Sequence, residues 1–109
     1  MLPIKYRLPA KDFRSVYTKG LKYRGKYGML VVSPSPLSSR FGFVLNKKIG
    51  NAVQRHRMTR LLRVSVMELV KELDLDKYKY NFEYIAFEFC NSKNDIKAEL
   101  EAQLKSAVK

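Results

Sequence analysis

The spacing of apolar residues changes in the middle of the chain, and this change limits the possible folds more than any other feature. In residues 40–46 apolar side chains alternate with others, so Phe41, Phe43 and Leu45 share one face, as in a strand with one buried face. After Asn51 apolar residues recur every three or four positions, as in a helix with one buried stripe. The stripe contains Met58, Leu61, Leu62, Ser65, Val66, Leu69 and Leu73. A strand followed directly by a long amphipathic helix predicts a domain in which the helix packs on a sheet.

The N-terminal third of the chain predicts an arm, a short helix and strand structure. Residues 1–10 contain two prolines and little periodicity, which favours an extended N-terminal arm laid on the domain. Residues 12–20 space their apolar side chains three and four apart, which predicts a short helix. Residues 22–33 are rich in aromatic and branched side chains, which predicts one bent strand or two strands divided at Gly25 and Gly28.

The segments on either side of the long helix complete the predicted order αβββαβα. We expect the strand at 40–46 to be the hairpin partner of the strand before it, with one apolar face and one face open to a ligand. Residues 82–89 predict a buried strand. Residues 94–108 predict a closing amphipathic helix capped by Ser92 or Asn94.

Charge is divided unevenly along the chain. Residues 1–63 hold 15 Lys and Arg and a single acid, Asp12, whereas residues 64–109 hold 7 Lys and 9 acids, and the net charge of the whole is +12. A solvated surface normally mixes both signs, so the basic part indicates an anionic partner. Nucleic acid is favoured over an anionic membrane because no basic stretch carries the broad apolar face of an interfacial helix. The remaining alternative is that the charge serves only solubility.

Length and cysteine content bound the size and the location. The 109 residues fit one domain, 1–109, and 46% hydrophobic residues provide one modest core. The apolar stretches are far shorter than the roughly 20 residues of a membrane helix, and no apolar block follows the first charges, so we expect neither a membrane span nor a secretory signal. The single cysteine, Cys90, cannot form an internal disulfide, which favours a cytoplasmic location, and we interpret it as a buried small residue.

Few residues could support catalysis by the chain itself. His56 is the only histidine, so a His-His metal pair or a Ser-His-Asp set cannot be assembled, and we interpret it as a nucleic-acid contact or a surface residue. All carboxylates except Asp12 lie after residue 63, with no pairing typical of a two-metal nuclease. The sequence therefore predicts binding rather than catalysis.

Residues 40–63 combine seven cations with no acid. The cations are Arg40, Lys47, Lys48, Arg55, Arg57, Arg60 and Arg63. Lys47 and Lys48 come just before the long helix, whose free N–H groups and positive end favour anions. His56 and three of the arginines (57, 60 and 63) fall opposite the apolar stripe. We predict a phosphate-binding surface here, the alternative being a basic solvated face.

Two aromatic residues on the short helix, Phe13 and Tyr17, allow two interpretations. Their spacing of four places both on one side of the helix. That spacing is more often found in a core than in a platform on which unpaired bases stack. The residues alone leave both roles open.

Residues 40–63 read RFGFVLNKKIGNAVQRHRMTRLLR. This segment resembles the signature of the bacterial ribonuclease P protein subunit, in which a strand ends in Ser/Ala-Lys-Lys and is followed by Gly-Asn-Ala-Val and an Arg-Asn-Arg helix ending in Arg-Leu-Leu-Arg. Residues 7–8 and 12–20 also resemble the region of the family's first helix. Departures from the family pattern are Asn46 for Ser or Ala, His56 for Asn, Thr59 for Lys and Val64 for an acid.

The resemblance implies a fold. It is an α/β sandwich of two layers, of the α+β type, with a four-stranded mixed sheet like that of certain ribosomal and translation-factor domains. The long helix would join two parallel strands by a left-handed crossover, an exception to the usual hand.

The resemblance also implies a function. The RNA subunit of the family's enzyme carries out the Mg²⁺-dependent hydrolysis that removes the 5′ leader of precursor tRNA, and the protein binds without a catalytic residue of its own. The Mg²⁺ would be bound mainly by the RNA subunit and the substrate. The implied partners are the catalytic RNA subunit and precursor tRNA, with no membrane and no obligate protein partner. Two rival functions are a ribosomal or other structural RNA-binding protein and a stand-alone metal nuclease.

Site residues follow from the match to the family motif. The resemblance implies contacts to the RNA subunit by Lys47, Lys48, Asn51, Arg55, His56, Arg57, Arg60 and Arg63. It implies a leader-binding cleft formed by Phe13, Tyr17, Arg40, Val44 and Asn46. An aromatic ring in such a cleft can stack on an unpaired base.

Overall fold

The computed structural model of the chain describes residues 2–108 and has the predicted element order αβββαβα. The helices and strands are α1 (Phe13–Lys19), β1 (Leu21–Arg24), β2 (Gly28–Pro34), β3 (Arg40–Val44), α2 (Ala52–Glu72), β4 (Tyr80–Ala86) and α3 (Lys93–Ala107). Short 3-10 turns occupy Ile4–Tyr6, Ala10–Asp12, Lys47–Ile49 and Leu75–Lys77.

The four strands form one mixed sheet in the order β1-β2-β4-β3. The prediction that β3 is the hairpin partner of β2 is wrong, because β3 pairs in parallel with β4, while β4 pairs antiparallel with β2. The long helix α2 returns the chain to the end of the sheet where β3 began, which is what a parallel neighbour requires. The last strand in the sequence is therefore a central strand in the sheet.

One face of the sheet carries the main core, covered by α2 and α3. Phe41 and Phe82 stack there with ring centroids 4.9 Å apart. The predicted stripe of α2 is confirmed, since Met58, Leu62 and Leu69 are fully buried in this core. The stripe of α3 supplies Ile96, Leu100 and Leu104.

The opposite face carries α1 and the N-terminal arm. Leu8, Val16, Met29 and Val31 form a second, smaller buried cluster there. The two-layer arrangement thus holds for the sheet with α2 and α3, and α1 adds a partial layer on the other side. This placement leaves part of the α1 side of the sheet open beyond α1, which is where a ligand could bind.

The N-terminal arm is not extended as predicted. It contains the two 3-10 turns at Ile4–Tyr6 and Ala10–Asp12, each of which begins after a proline, a residue whose fixed φ suits the start of a turn. The arm packs on the domain, since Leu8 N–H donates to the Phe41 carbonyl at 2.8 Å and the Tyr6 hydroxyl donates to the Asp76 carboxylate at 2.8 Å.

Other boundaries differ slightly from the predictions. Residues 22–33 are two antiparallel strands, closed by a hydrogen bond from Gly25 N–H to the Gly28 carbonyl at 2.8 Å. The last strand spans Tyr80–Ala86 rather than residues 82–89. Ser92 is the cap of α3, because its hydroxyl accepts from the Asp95 N–H at 3.3 Å.

The acidic second half of the chain pairs its charges internally. Lys97 bridges Glu68 and Glu72 at 2.8 and 2.7 Å and so joins α2 to α3. Lys105 pairs with Glu101 at 2.8 Å within α3. The excess positive charge of the molecule therefore belongs to the first 63 residues.

Candidate nucleic-acid interface

The start of α2 is fixed by side-chain hydrogen bonds. Asn46 Oδ1 accepts from the Lys48 N–H at 2.9 Å and begins the 3-10 turn that holds the exposed Lys47 and Lys48 ahead of the helix. Asn51 Oδ1 then accepts from the Gln54 N–H at 2.9 Å, and Gln54 Oε1 accepts from the Asn51 N–H at 3.0 Å. This pair of bonds is a capping box.

The capping box explains the glycine before the helix. A Cβ on Gly50 would lie 2.3 Å from Gln54 Oε1, so a larger residue would displace the capping side chain. The box also corrects the predicted phosphate cradle: the N–H groups of Asn51 and Gln54 already have partners, so the helix end offers fewer donors than the sequence indicated.

The basic face of α2, which we define as Arg55, His56, Arg57, Arg60 and Arg63, contains the four residues predicted to lie opposite the apolar stripe, together with Arg55, which lies nearer the stripe. His56, Arg57 and Arg60 are exposed, while Arg55 and Arg63 are half-buried. Arg57 Nε donates to the Asn91 side chain, which fixes its guanidinium beside the segment before α3. Arg55 Nε is buried and has no hydrogen-bond partner within residues 2–108.

Thr59 stands on this face where the family pattern has Lys. Its hydroxyl donates to the Arg55 carbonyl at 2.8 Å, the usual back-bond of threonine within a helix. The position therefore contributes no charge to the surface.

A groove of about 230 Å³ lies between the predicted leader-binding residues of α1 and the basic face of α2. Phe13 from α1 and Arg63 from α2 both line it, together with Arg7 from the arm and Phe43 from β3. The sequence placed Phe13 and Arg63 on different elements 50 positions apart, so only the tertiary fold brings them to one groove.

Phe13 and Tyr17 have different environments on α1. The ring of Phe13 is half-buried over Gly42, where a Cβ would lie 2.5 Å from its Cε1 atom, so glycine allows the close approach. Tyr17 is 45% exposed. Lys22 Nζ lies 4.6 Å from the centroid of the Tyr17 ring.

Beyond α1, the same side of the sheet is partly open, in the region where a cleft was predicted. Val44, Ile85 and Met29 are neighbours across three strands, and Val44 and Ile85 are only half-buried. Of the five residues predicted for the cleft, four lie on this side, namely Phe13, Tyr17, Arg40 and Val44. Asn46 is exposed just past the end of β3, with its Oδ1 used in the turn.

Arg40 lies on the same side of β3 as Gly42 and Val44, as predicted, and its guanidinium is held by neighbouring residues. It lies at the start of β3, and its side chain is only 16% exposed because Nε donates to Asn81 Oδ1 at 3.1 Å and a terminal nitrogen lies 3.7 Å from Asp12. Asp12 is the single acid of the first 63 residues. Arg40 therefore links β3 to β4 and to the start of α1.

One buried acid was missed by the sequence analysis. Glu83 on β4 lies between Val31 and Gly42, on the side covered by α1, and is 3% exposed. Its Oε1 has no hydrogen-bond partner within residues 2–108, and burial raises the pKa of the carboxyl to about 7. Strand alternation assigns Glu83 to the side opposite Phe82 and Tyr84, but it carries no signal that α1 covers that side.

Within residues 2–108, no three His, Cys, Asp or Glu side chains group closely enough to hold a metal ion. In the same range, no helix combines the length and apolar content needed to cross a membrane.

Comparisons with known proteins agree with the fold and the motif. The model of the family described as Ribonuclease P matches residues 2–109. Ribonuclease P protein components from Fusobacterium nucleatum and Syntrophomonas wolfei are 35% identical over 75 residues and 40% identical over 70 residues. These matches cover 68% and 62% of this chain but only 63% and 59% of the relatives.

A solved structure shows the same fold. The ribonuclease P protein of Staphylococcus aureus superposes with a TM-score of 0.73 at 24% identity, over 94% of this chain and 95% of that one. The sheet order, the basic face of α2 and the matched family model together lead to one assignment: the chain belongs to the ribonuclease P protein family.

Proposed function

We propose that the chain is the protein subunit of a ribonuclease P, which binds the catalytic RNA subunit through the basic face of α2 and holds the 5′ leader of precursor tRNA on the α1 side of the sheet. The observation that carries this proposal is the groove shared by Phe13 and Arg63. In this groove, a leader held by the aromatic residues of α1 would be adjacent to an RNA subunit bound along α2. A structural RNA-binding protein would have no need for this adjacency.

The chain's own contribution would be binding and charge neutralisation. Cations of the basic face contact phosphates, and the exposed Arg57 and Arg60 are suited to phosphate oxygens. We assign hydrolysis to the RNA subunit with its Mg²⁺, held by the RNA and the substrate. No step of the reaction is assigned to a side chain of this protein.

Cleavage of precursor tRNA by the protein alone, the RNA subunit alone and both together tests this function. At low Mg²⁺ we expect cleavage only by the combination, because the protein neutralises phosphate repulsion that few metal ions are present to screen. Raising Mg²⁺ should partly replace the protein. Cleavage by the protein alone would instead support a nuclease. If adding the protein did not change cleavage by the RNA subunit, the result would support a structural RNA-binding protein.

Salt dependence tests the basic face. We expect the logarithm of affinity for the RNA subunit to fall linearly with the logarithm of salt concentration, and Arg57→Ala or Arg60→Ala to flatten the slope by about one unit each. Lys105→Ala is the matched control, because it also removes one positive charge but lies on α3, paired with Glu101. Equal slopes in all four proteins would remove α2 from the interface.

His56 tests the absence of a catalytic side chain. It is exposed on the basic face and is the only histidine of the sequence. We expect His56→Asn, the family's usual residue, to keep or raise cleavage activity and to leave the pH–rate profile of the holoenzyme unshifted. Loss of cleavage at every Mg²⁺ concentration, with RNA and substrate still bound, would make His56 catalytic.

A further inference from the structure

On the α1 side of the sheet, two cations each lie over an aromatic ring. One of these pairs includes Tyr17 of α1, and the other includes no residue of α1. Lys22 and Arg24 on β1 are paired with Val31 and Met29 on β2, which belong to the cluster under α1. Residues paired across strands share a face, so both cations point to the α1 side. Lys22 lies over Tyr17, and Arg24 lies over Phe87.

The Arg24–Phe87 pair is exposed but held in place. The Arg24 guanidinium carbon lies 4.7 Å from the centroid of the Phe87 ring, and Phe87 is 38% exposed. The Phe87 N–H donates to the Tyr27 carbonyl at 2.7 Å, which fixes the backbone just after β4 against the β1–β2 turn. A fixed, exposed ring with an adjacent guanidinium provides a planar surface for a base and a positive charge for a phosphate.

The two pairs continue the line that begins at Phe13. Phe13 lies over β3 at Gly42, whereas Lys22, in the same row of the sheet, is on β1 at the other edge, about 14 Å away across three strand spacings. Along β1, Arg24 follows Lys22 by about 7 Å. Alternating rings and cations along a surface are typical of sites that bind single-stranded nucleic acid without sequence preference.

We propose that the leader-binding cleft continues across the whole sheet and that Arg24 and Phe87 form a stacking subsite for a nucleotide of the leader far from the cleavage point. This inference rests on the proposed function. The orientation follows from the groove at the other end, where Phe13 adjoins Arg63 and hence the surface assigned to the RNA subunit. The Phe87 end is then farther from the site of hydrolysis.

Reconstituted holoenzyme and precursor tRNAs whose leaders lengthen one nucleotide at a time test the subsite. For wild type, we expect affinity to rise with leader length until the leader reaches Phe87. Phe87→Leu keeps apolar bulk but removes the ring, and Arg24→Ala removes the cation. Both variants should bind precursors with the shortest leaders as tightly as wild type does. They should lack the final increase in affinity that wild type shows when the leader reaches Phe87, a loss of roughly tenfold, as expected for one stacked base.

Controls separate the subsite from the cleft itself. Leu21→Ala truncates an exposed apolar residue of β1 on the opposite face, and it should behave like wild type at every length. Length dependence in Phe87→Leu and Arg24→Ala identical to wild type would overturn the subsite, as would an equal loss at all lengths. If wild type itself shows no dependence on leader length, the proposed leader cleft fails as well. Thermal melts of each variant report whether the fold is retained.

Discussion

Replacing Glu83 by Gln is expected to stabilise the protein by up to about 3 kcal/mol at about pH 8 and to change its stability little at about pH 4. The cause is burial, which raises the pKa of the folded carboxyl from its ordinary value of 4.5 to about 7. Below pH 4.5 the Glu83 carboxyl is protonated in both the folded and the unfolded protein, so the stability that its raised pKa contributes to the folded state is fully present. As pH rises towards about 7 the unfolded chain releases its proton first, and this contribution is lost.

Urea unfolding of wild type and Glu83→Gln at several pH values and constant ionic strength measures this difference. All other titrating groups are shared, so they cancel in the difference between the two curves. Glu88→Gln is the control, because it makes the same substitution at an exposed position five residues further along the chain. Parallel curves for wild type and Glu83→Gln would show that the carboxyl reaches water despite its position beneath α1.

The Tyr17→Ala substitution is expected to weaken binding of leader-bearing precursor by about 1–3 kcal/mol without lowering the melting temperature. Its ring is 45% exposed, so truncation removes a stacking surface and little core. Phe13→Ala should weaken leader binding and also reduce stability, because Phe13 is half-buried over Gly42. That stability loss should be smaller than the roughly 3–5 kcal/mol of a fully buried Phe.

Binding of mature tRNA, which has no leader, is the matched control for both substitutions. We expect the two variants to bind mature tRNA as tightly as wild type does. The weaker binding should therefore appear only in the ratio of the affinity for the precursor to the affinity for mature tRNA. A lowered melting temperature in Tyr17→Ala with an unchanged ratio would assign the ring to the core, the other interpretation that its spacing allows.

Local periodicity made most of the elements predictable from the sequence. The stripe of α2 is read directly from spacing, and its members Met58, Leu62 and Leu69 are fully buried. The arginines opposite that stripe lie on the outer face for the same geometric reason. Such inferences need no knowledge of distant parts of the chain.

Strand partners could not be predicted in this way. The alternation in β3 shows that one face is buried, but it does not show whether the neighbour is β2 or β4. The partner of Arg40 is Asn81, 41 positions later, and the choice depends on the path of α2 between them. The ion pair of Arg40 with Asp12 has the same origin, because it joins elements that only the folded sheet brings together.

The candidate site was predictable in its charge and less so in its shape. The basic face follows from composition and helix geometry. The groove shared by Phe13 and Arg63, the buried Glu83 and the Arg24–Phe87 pair each need two elements placed in space. In each case the sequence gives the side of a strand or helix but not what lies against it.

The central position of β4 has a consequence for how the chain acquires its structure during synthesis. Strands β2 and β3 have no hydrogen-bonded contact with each other, so neither can complete the sheet until residues 80–86 have left the ribosome. By then the 63 residues with fifteen cations have already emerged. Because non-local pairing of this kind is slow to form, we expect this basic part of the nascent chain to be outside the ribosome before its sheet can close, and RNA bound to it then to compete with that closure.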